Sequence, residues 1–156
     1  MAKNFRQLPR VVNNMSDRLS GAVTKLVKIA SRTAGKTAVE TTRVDTGKAR
    51  SNWRANLNGP ATGVIPAYAP GNKLGFSERG NAVSAVAQQR SVIEQFNVRS
   101  SKAVFISNSV PYIGILNNGG ANVSPGNMAQ LAIQAAKVRI QNERILKTLR
   151  GTGVIR

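Results

Sequence analysis

The 156-residue sequence contains no cysteine and no histidine. Their absence excludes zinc fingers, thiol nucleophiles, disulfide frameworks, histidine bases and haem ligands of the usual kinds. Carboxylates are also few, and no two lie closer than five residues apart in sequence, at Asp17, Glu40, Asp45, Glu78, Glu94 and Glu143. No local acid–base or metal cluster is visible, although folding could bring two carboxylates together. We therefore expect a binding or structural protein rather than an enzyme, with no cofactor and no metal.

Most of the charged residues in the sequence are basic. Lys and Arg number 23 against 6 for Asp and Glu, which gives a net charge of +17. Such a surface faces either phosphate or an acidic protein. Aromatic residues make up 4% of the chain, which argues against a base-stacking platform for single strands. No apolar leader and no membrane-spanning run is visible, so we expect a soluble chain made in a reducing cytosol, without a membrane partner.

A long amphipathic helix is predicted from about Leu8 to Thr42. Its apolar positions recur every three or four residues, at Val12, Met15, Leu19, Ala22, Leu26, Ala30 and Ala34. A second face is basic and spans an arc of roughly 80° on the helical wheel, with Arg18, Lys25, Lys28, Arg32, Lys36 and Arg43. This charged face is either simply solvated or meets a charged partner.

A turn and a strand are predicted next. Asp45, Thr46 and Gly47 break the helix, because Asp can hydrogen-bond its own backbone and Gly accepts positive φ. Alternation of apolar and polar residues then predicts a strand from Ala49 to Leu57, with Trp53 facing the core.

The middle of the chain is rich in glycine and proline. Residues 58–80 predict an extended loop or arm, which is either a functional loop or a segment that orders on a partner. Residues 81–96 predict a short inserted helix. The clearest strand is 103–108, whose centre is β-branched and aromatic.

The last third of the chain predicts two helical segments and a loose end. Residues 111–118 could form one helical turn, and Ser124 and Pro125 predict the N-cap and first position of a helix to about Arg150. The tail, 151–156, is expected to be loose. Residues 103–136 carry no charge at all, so this stretch is either buried or packs against a neighbouring subunit.

Two short motifs resemble catalytic signatures and are rejected. Residues 30–37 match a loose phosphate-loop pattern, but they continue a helix and follow no strand. The triplet Asp45-Thr46-Gly47 matches that of aspartic proteases, but it follows no apolar strand, and nearby Arg43 and Lys48 would keep the carboxylate charged. A basic helix face and a hydrogen-bonded turn explain the two motifs better.

The order of these segments resembles the tail-completion, or head–tail joining (neck), family of tailed bacteriophages. The resemblance rests on VDTGKARSNW at 44–53, on VFISNSVPYI at 104–113 with LNNG at 116–119, and on PGNM at 125–128. It covers most of residues 8–140, excluding an insertion at 58–100. It implies a single α+β domain over residues 1–156, with a small, mostly antiparallel sheet flanked by long N- and C-terminal helices.

The resemblance also implies a place and a set of partners. Relatives form rings, commonly six-fold and sometimes twelve-fold, between portal or adaptor and tail proteins, and double-stranded DNA passes through them. We then expect Asp45, Thr46 and Gly47 to form the structural turn and Trp53 to anchor the core. A subunit contact is expected at Pro111, Tyr112, Ile113, Leu116 and Asn117. The face Arg18, Lys25, Lys28, Arg32 and Lys36 would meet an acidic neighbour or passing DNA.

The alternative is a free basic nucleic-acid-binding protein that acts as a monomer or dimer. This alternative rests on net charge alone, because the sequence indicates no element that would read a groove of DNA.

Overall fold

A computed structural model describes residues 7–43, 46–69 and 78–143. In these residues the chain forms five helices and two strands, which confirms the predicted mixture of helix and sheet. The elements are α1 Leu8–Thr41, α2 Lys48–Ser51, β1 Arg54–Leu57, α3 Glu78–Glu94, β2 Val104–Ser107, α4 Ile113–Asn118 and α5 Met128–Gln141. Asp45 of the predicted turn, residues 70–77 of the loop, the predicted helix end beyond 143 and the tail 151–156 lie outside the described residues.

Helix α1 organises the fold. It has 34 residues, so it is about 50 Å long, and its bounds agree with the predicted ones. Its C-terminal half is built into the protein, where Gly35, Ala38 and Val39 are buried. Residues 7–19, by contrast, are exposed on every side. The first turns of α1 therefore project beyond the rest of the described chain.

The predicted strand 49–57 is wrong in its first half. Residues Lys48–Ser51 form the short helix α2, and β1 begins at Arg54. Gly47, in the left-handed region at φ 77°, starts this helical turn. Residues 49–53 are all buried, which the one-sided burial of an alternating strand does not allow.

The two strands form an antiparallel ribbon. Ala55 pairs with Ile106, and Leu57 pairs with Val104. Because a two-stranded ribbon is marginal by itself, it depends on the helices that cover it. Helix α3 packs against β1, and the Nε2 of Gln89 donates to the Trp53 carbonyl at 2.8 Å.

The core is small and rich in alanine. Its buried members are Ala38, Val39, Trp53, Ala85, Met128 and Ala132, contributed by α1, the start of β1, α3 and α5. The indole Nε1 of Trp53 donates to the hydroxyl of Thr42 at 2.7 Å. Trp53 therefore ties the end of α1 to the sheet, and its one polar atom is satisfied inside the core.

Helices α1 and α3 approach closely because residue 35 has no side chain. A Cβ built on Gly35 would lie 2.2 Å from the Oε1 of Gln89. The glycine, which costs helix stability in an exposed position, thus leaves room for Gln89 to reach the Trp53 carbonyl. From the sequence alone, Gly35 is only a glycine that the helix tolerates. The close approach of Gln89 explains why a glycine stands there.

Two buried asparagines hold the loop after β1 against the body. The Asn52 side chain donates to the Ile65 carbonyl and accepts from the Ile65 amide, both at 2.8 Å. Asn81 makes the same two-way pair with Ala69, at 2.9 and 2.8 Å. Residues 58–69 form no helix or strand, so their backbone groups lack the hydrogen bonds that such an element would supply. Each asparagine side chain supplies two of these hydrogen bonds. The described part of the predicted arm is therefore bound to its own chain.

The predicted start of the last helix is also wrong. Helix α5 begins at Met128, and Ser124 and Pro125 precede it without capping it. The amide of Asn127 donates to the Asn117 carbonyl, and the Oδ1 of Asn117 accepts from the Ala129 amide, both at 2.9 Å. The capping oxygen therefore comes from α4, where no local sequence signal at 124–127 could show it.

Candidate functional site

The middle of the predicted charged face is paired within the chain. Glu94 of α3 accepts from Arg32, and its backbone carbonyl accepts from the Nζ of Lys28 at 2.6 Å. One turn further on, Lys36 lies 3.7 Å from Glu40 of the same helix. All of these ion pairs are partly exposed, so they contribute little to stability. They do lower the net charge that this part of α1 presents.

A cationic groove lies between α1 and α3. Its volume is about 300 Å³, and its lining residues are Arg32, Lys36, Val86, Gln89, Arg90 and Ile93. Arg90 is exposed and has no hydrogen-bond or ion-pair partner among the described residues. Val86, which is partly exposed, gives the groove apolar lining, whereas Ile93 is fully buried behind it. The cationic groove can thus hold a carboxylate or phosphate by its charge and an aliphatic stem by its apolar lining.

Arg18 and Lys25, the other two members of the predicted charged face, are exposed. Neither has a partner in the described segments of the chain. Together with Arg90, they are cations that the described fold does not use. They remain available for an external anion.

The carboxylates whose side chains the structure describes are all engaged. Asp17 pairs with Arg99, and Glu143 lies 2.9 Å from Arg139. Glu40 and Glu94 hold the cations of α1 as described above. A second copy of the chain therefore offers no free carboxylate from this set.

An apolar stripe covers one side of the projecting part of α1. It consists of Leu8, Val11, Val12, Met15 and Leu19, each between 46% and 61% exposed. At 100° per residue these five side chains fall within an arc of about 100°. Arg18 borders the apolar stripe on one side. No other element of the described chain covers it.

The uncharged segment 103–136 is divided between core and surface. Val110, Met128 and Ala132 are buried, and Ile113 and Leu116 pack against the core. Four large apolar side chains of the segment remain exposed near or on α4 and α5: Tyr112, Ile115, Leu131 and Ile133. We call these exposed positions together the uncharged surface. Leu131 and Ile133 are two positions apart on α5, so they lie on different sides of that helix. Part of the segment is therefore buried, as one of the two sequence alternatives predicts, and contact of its exposed part with a neighbour stays a prediction.

The residues predicted at a subunit contact do not share one environment. Pro111 and Tyr112 are exposed, whereas Ile113 and Leu116 face inward. The side chain of Asn117 caps α5 and also donates to Gln130 at 3.1 Å. Ile115, which the sequence analysis did not single out, is more exposed than Tyr112, Ile113, Leu116 and Asn117.

The predicted turn is described at Thr46 and Gly47. Thr46 is exposed, and Gly47 is buried against α3. A Cβ on Gly47 would lie 2.2 Å from the Nδ2 of Asn81. Both the positive φ and this close approach require glycine here. Gly47 thus positions the start of α2.

Asn52, Asn81 and Gln89 are the buried polar residues that sequence reasoning missed. Each is at most 2% exposed, and each binds backbone groups of a distant segment. The sequence signal for such a buried residue is an amide side chain that stands between apolar or small residues. That signal is weak, because the partner backbone lies 12 to 36 residues away.

Among the described residues, no group of three or more Asp or Glu could hold a metal ion, and no helix is long and apolar enough to cross a membrane. Comparison of the chain with models of protein families, with curated proteins and with solved structures found no match.

Proposed function

We propose that this chain is a structural virion protein, a subunit of a ring at the head–tail junction of a tailed bacteriophage. Double-stranded DNA would pass through this ring, which would lie between portal or adaptor and tail proteins. The protein would be made in the host cytoplasm and would act without catalysis or cofactor. The observation that carries the proposal is the separation of two unsatisfied surfaces, one apolar and uncharged, the other cationic.

The two surfaces suit the two kinds of contact that a ring subunit makes. Identical copies must meet laterally, and apolar surface without charge is suited to that contact. Neighbours above and below are different molecules and can supply carboxylates, whereas the four carboxylates whose side chains the structure describes in this chain are already paired. The order of the segments VDTGKARSNW, VFISNSVPYI and PGNM supports the same family. On this proposal, the sheet is the family's small sheet between N- and C-terminal helices, and 58–80 belongs to the variable insertion.

We assign the cationic groove to an acidic protein neighbour rather than to the passing DNA. A strongly cationic lumen would retard a moving polyanion. The apolar lining from the partly exposed Val86 also fits the stem of a carboxylate side chain. Two of the groove cations are already paired within the chain, Arg32 with Glu94 and Lys36 with Glu40. The groove therefore suits a small number of negative groups.

The test has a structural arm and a binding arm. Light scattering and negative-stain images of the purified chain, and of virions that contain it, should show closed rings, six-fold or twelve-fold. Lys25→Glu with Arg90→Glu should leave rings intact and abolish attachment of the neighbouring tail or portal component. The matched control, Lys102→Glu with Lys137→Glu, makes the same charge change at exposed positions and should attach normally. A lone subunit in solution and in particles would refute the proposal.

The second candidate, a free nucleic-acid-binding protein, is favoured by the unpaired cations Arg18, Lys25 and Arg90. A salt series of duplex DNA binding separates the two. Affinity of micromolar or better at physiological salt, with a steep log–log slope and a monomeric or dimeric species, would favour it. Negligible binding by a ring-forming chain would favour the structural role.

A further inference from the structure

The projecting part of α1 has the reach of an arm. Residues 7–19 are exposed on all sides, and they extend over about 18 Å. Asp17 ties this segment to the body through Arg99, and the Thr24 hydroxyl accepts from the Val98 amide about two helical turns later. Both contacts lie on the side of α1 opposite the apolar stripe, since Asp17 and Thr24 are 140° or more from Leu8 on the helical wheel. The stripe is thus held outward.

Net charge decides which surface of a second copy can receive this arm. Two molecules of charge +17 repel each other, and the repulsion grows wherever their cations come together. Residues 103–136 contain no cation. They also present Tyr112, Ile115, Leu131 and Ile133 to solvent. A neighbour that brings Arg10 and Arg18 with its arm meets no like charge within this segment.

Pairing of the arm with the same arm of another copy is disfavoured by the same charges. Arg18 borders the apolar stripe, and Lys25 continues the basic face on that side. Two such helices side by side would align these cations, while Asp17, the acidic residue of the arm, is already held by Arg99. Like charges in such proximity are destabilising. A contact between two different surfaces is therefore favoured over a symmetric one.

We infer that the apolar stripe of one copy docks on the uncharged surface of the next copy. This inference rests on the proposed ring and specifies its lateral contact. Because the two surfaces differ, the contact is heterologous, and its repetition closes into a ring when the rotation between neighbours allows closure. Each subunit would give one arm and receive one arm.

Cysteine pairing tests the contact directly, because the natural chain has no thiol. Met15→Cys is mixed in turn with Ile115→Cys, Leu131→Cys and Ile133→Cys, and a short bismaleimide links thiols that lie close together. A linked pair that contains one of each variant supports the inference. Linkage of Met15→Cys to itself with equal yield, or no linkage to any of the three, overturns it. Val83→Cys on α3, which is as exposed as Met15, is the control and should not link to them.

A second variant separates this inference from the proposed function. Met15→Glu with Leu19→Glu should convert rings to monomers in light scattering, with an unchanged thermal midpoint, because both side chains are exposed in the single chain. Val83→Glu with Val98→Glu is the matched control and should keep the ring. If the arm variant keeps the wild-type mass, the docking inference is wrong and the ring proposal stands. If the wild-type chain is itself monomeric, in solution and in virions, both are wrong.

Discussion

Replacement of Asn81 by alanine should destabilise the protein far more than an ordinary surface change. Asn81 is completely buried, and the partners of its side chain include the Ala69 amide, the Ala69 carbonyl and the Ser51 hydroxyl. A buried group left without its partner costs about 1–3 kcal/mol. Ala69 is half-buried, so water can satisfy part of its loss. We therefore expect a loss of about 2–4 kcal/mol in the free energy of unfolding, at the upper end of the range for one buried amide.

Urea unfolding followed by circular dichroism measures this loss. With a slope near 2 kcal/mol/M, the midpoint should fall by about 1–2 M. Asn56→Ala is the matched control, because Asn56 is exposed on β1 and makes no side-chain hydrogen bond within the described residues. The control should stay within about 0.5 kcal/mol of wild type.

Limited proteolysis adds a local measurement. Tyr68 lies between the two clamped backbone positions, Ile65 and Ala69. Loss of the Asn81 clamp should expose the Tyr68 peptide bond to chymotrypsin under conditions where the wild-type chain resists. If the Asn81 and Asn56 variants have equal midpoints and equal cleavage rates, the loop is not held by this side chain and the reasoning fails.

Two further changes test the helix cap and the charge distribution. Asn117→Ala should lower the free energy of unfolding by about 1 kcal/mol and speed hydrogen exchange in the first turn of α5, because the Asn117 Oδ1 accepts from the Ala129 amide. Ser124→Ala is the control and should change neither quantity. A larger effect of Ser124→Ala than of Asn117→Ala would show that Ser124 is the cap after all. Glu94→Gln should raise the salt needed for elution from a column of immobilised duplex DNA, since it releases two cations of α1 and each new phosphate contact adds about 0.9 to the log–log slope. Glu143→Gln makes the same change of net charge away from the groove, and an equal shift for both would show that net charge alone governs binding.

Local patterns determined a large part of this protein. The 3.6-residue period of α1, its bounds, the neutrality of 103–136 and the strand around Phe105 all follow from neighbouring residues in sequence, because a regular element repeats one geometry along its length. The same is true of Gly47, whose place after a long helix predicts a turn. Composition also predicts an anionic partner, since an excess of cations attracts an anion wherever the cations lie, and this stays a prediction.

What only the tertiary structure decided concerns pairs of distant residues. The sequence shows Lys28, Arg32 and Glu94 as separate charges, and the packing of α3 on α1 joins them. In the same way, Asn117 rather than Ser124 caps α5. A side chain binds the nearest unsatisfied group in space, and its distance along the chain carries no information about which group that is. For this reason the periodicity of α1 predicts that the helix has an apolar stripe. Whether that stripe is covered depends on where the other elements pack, which only the tertiary structure shows.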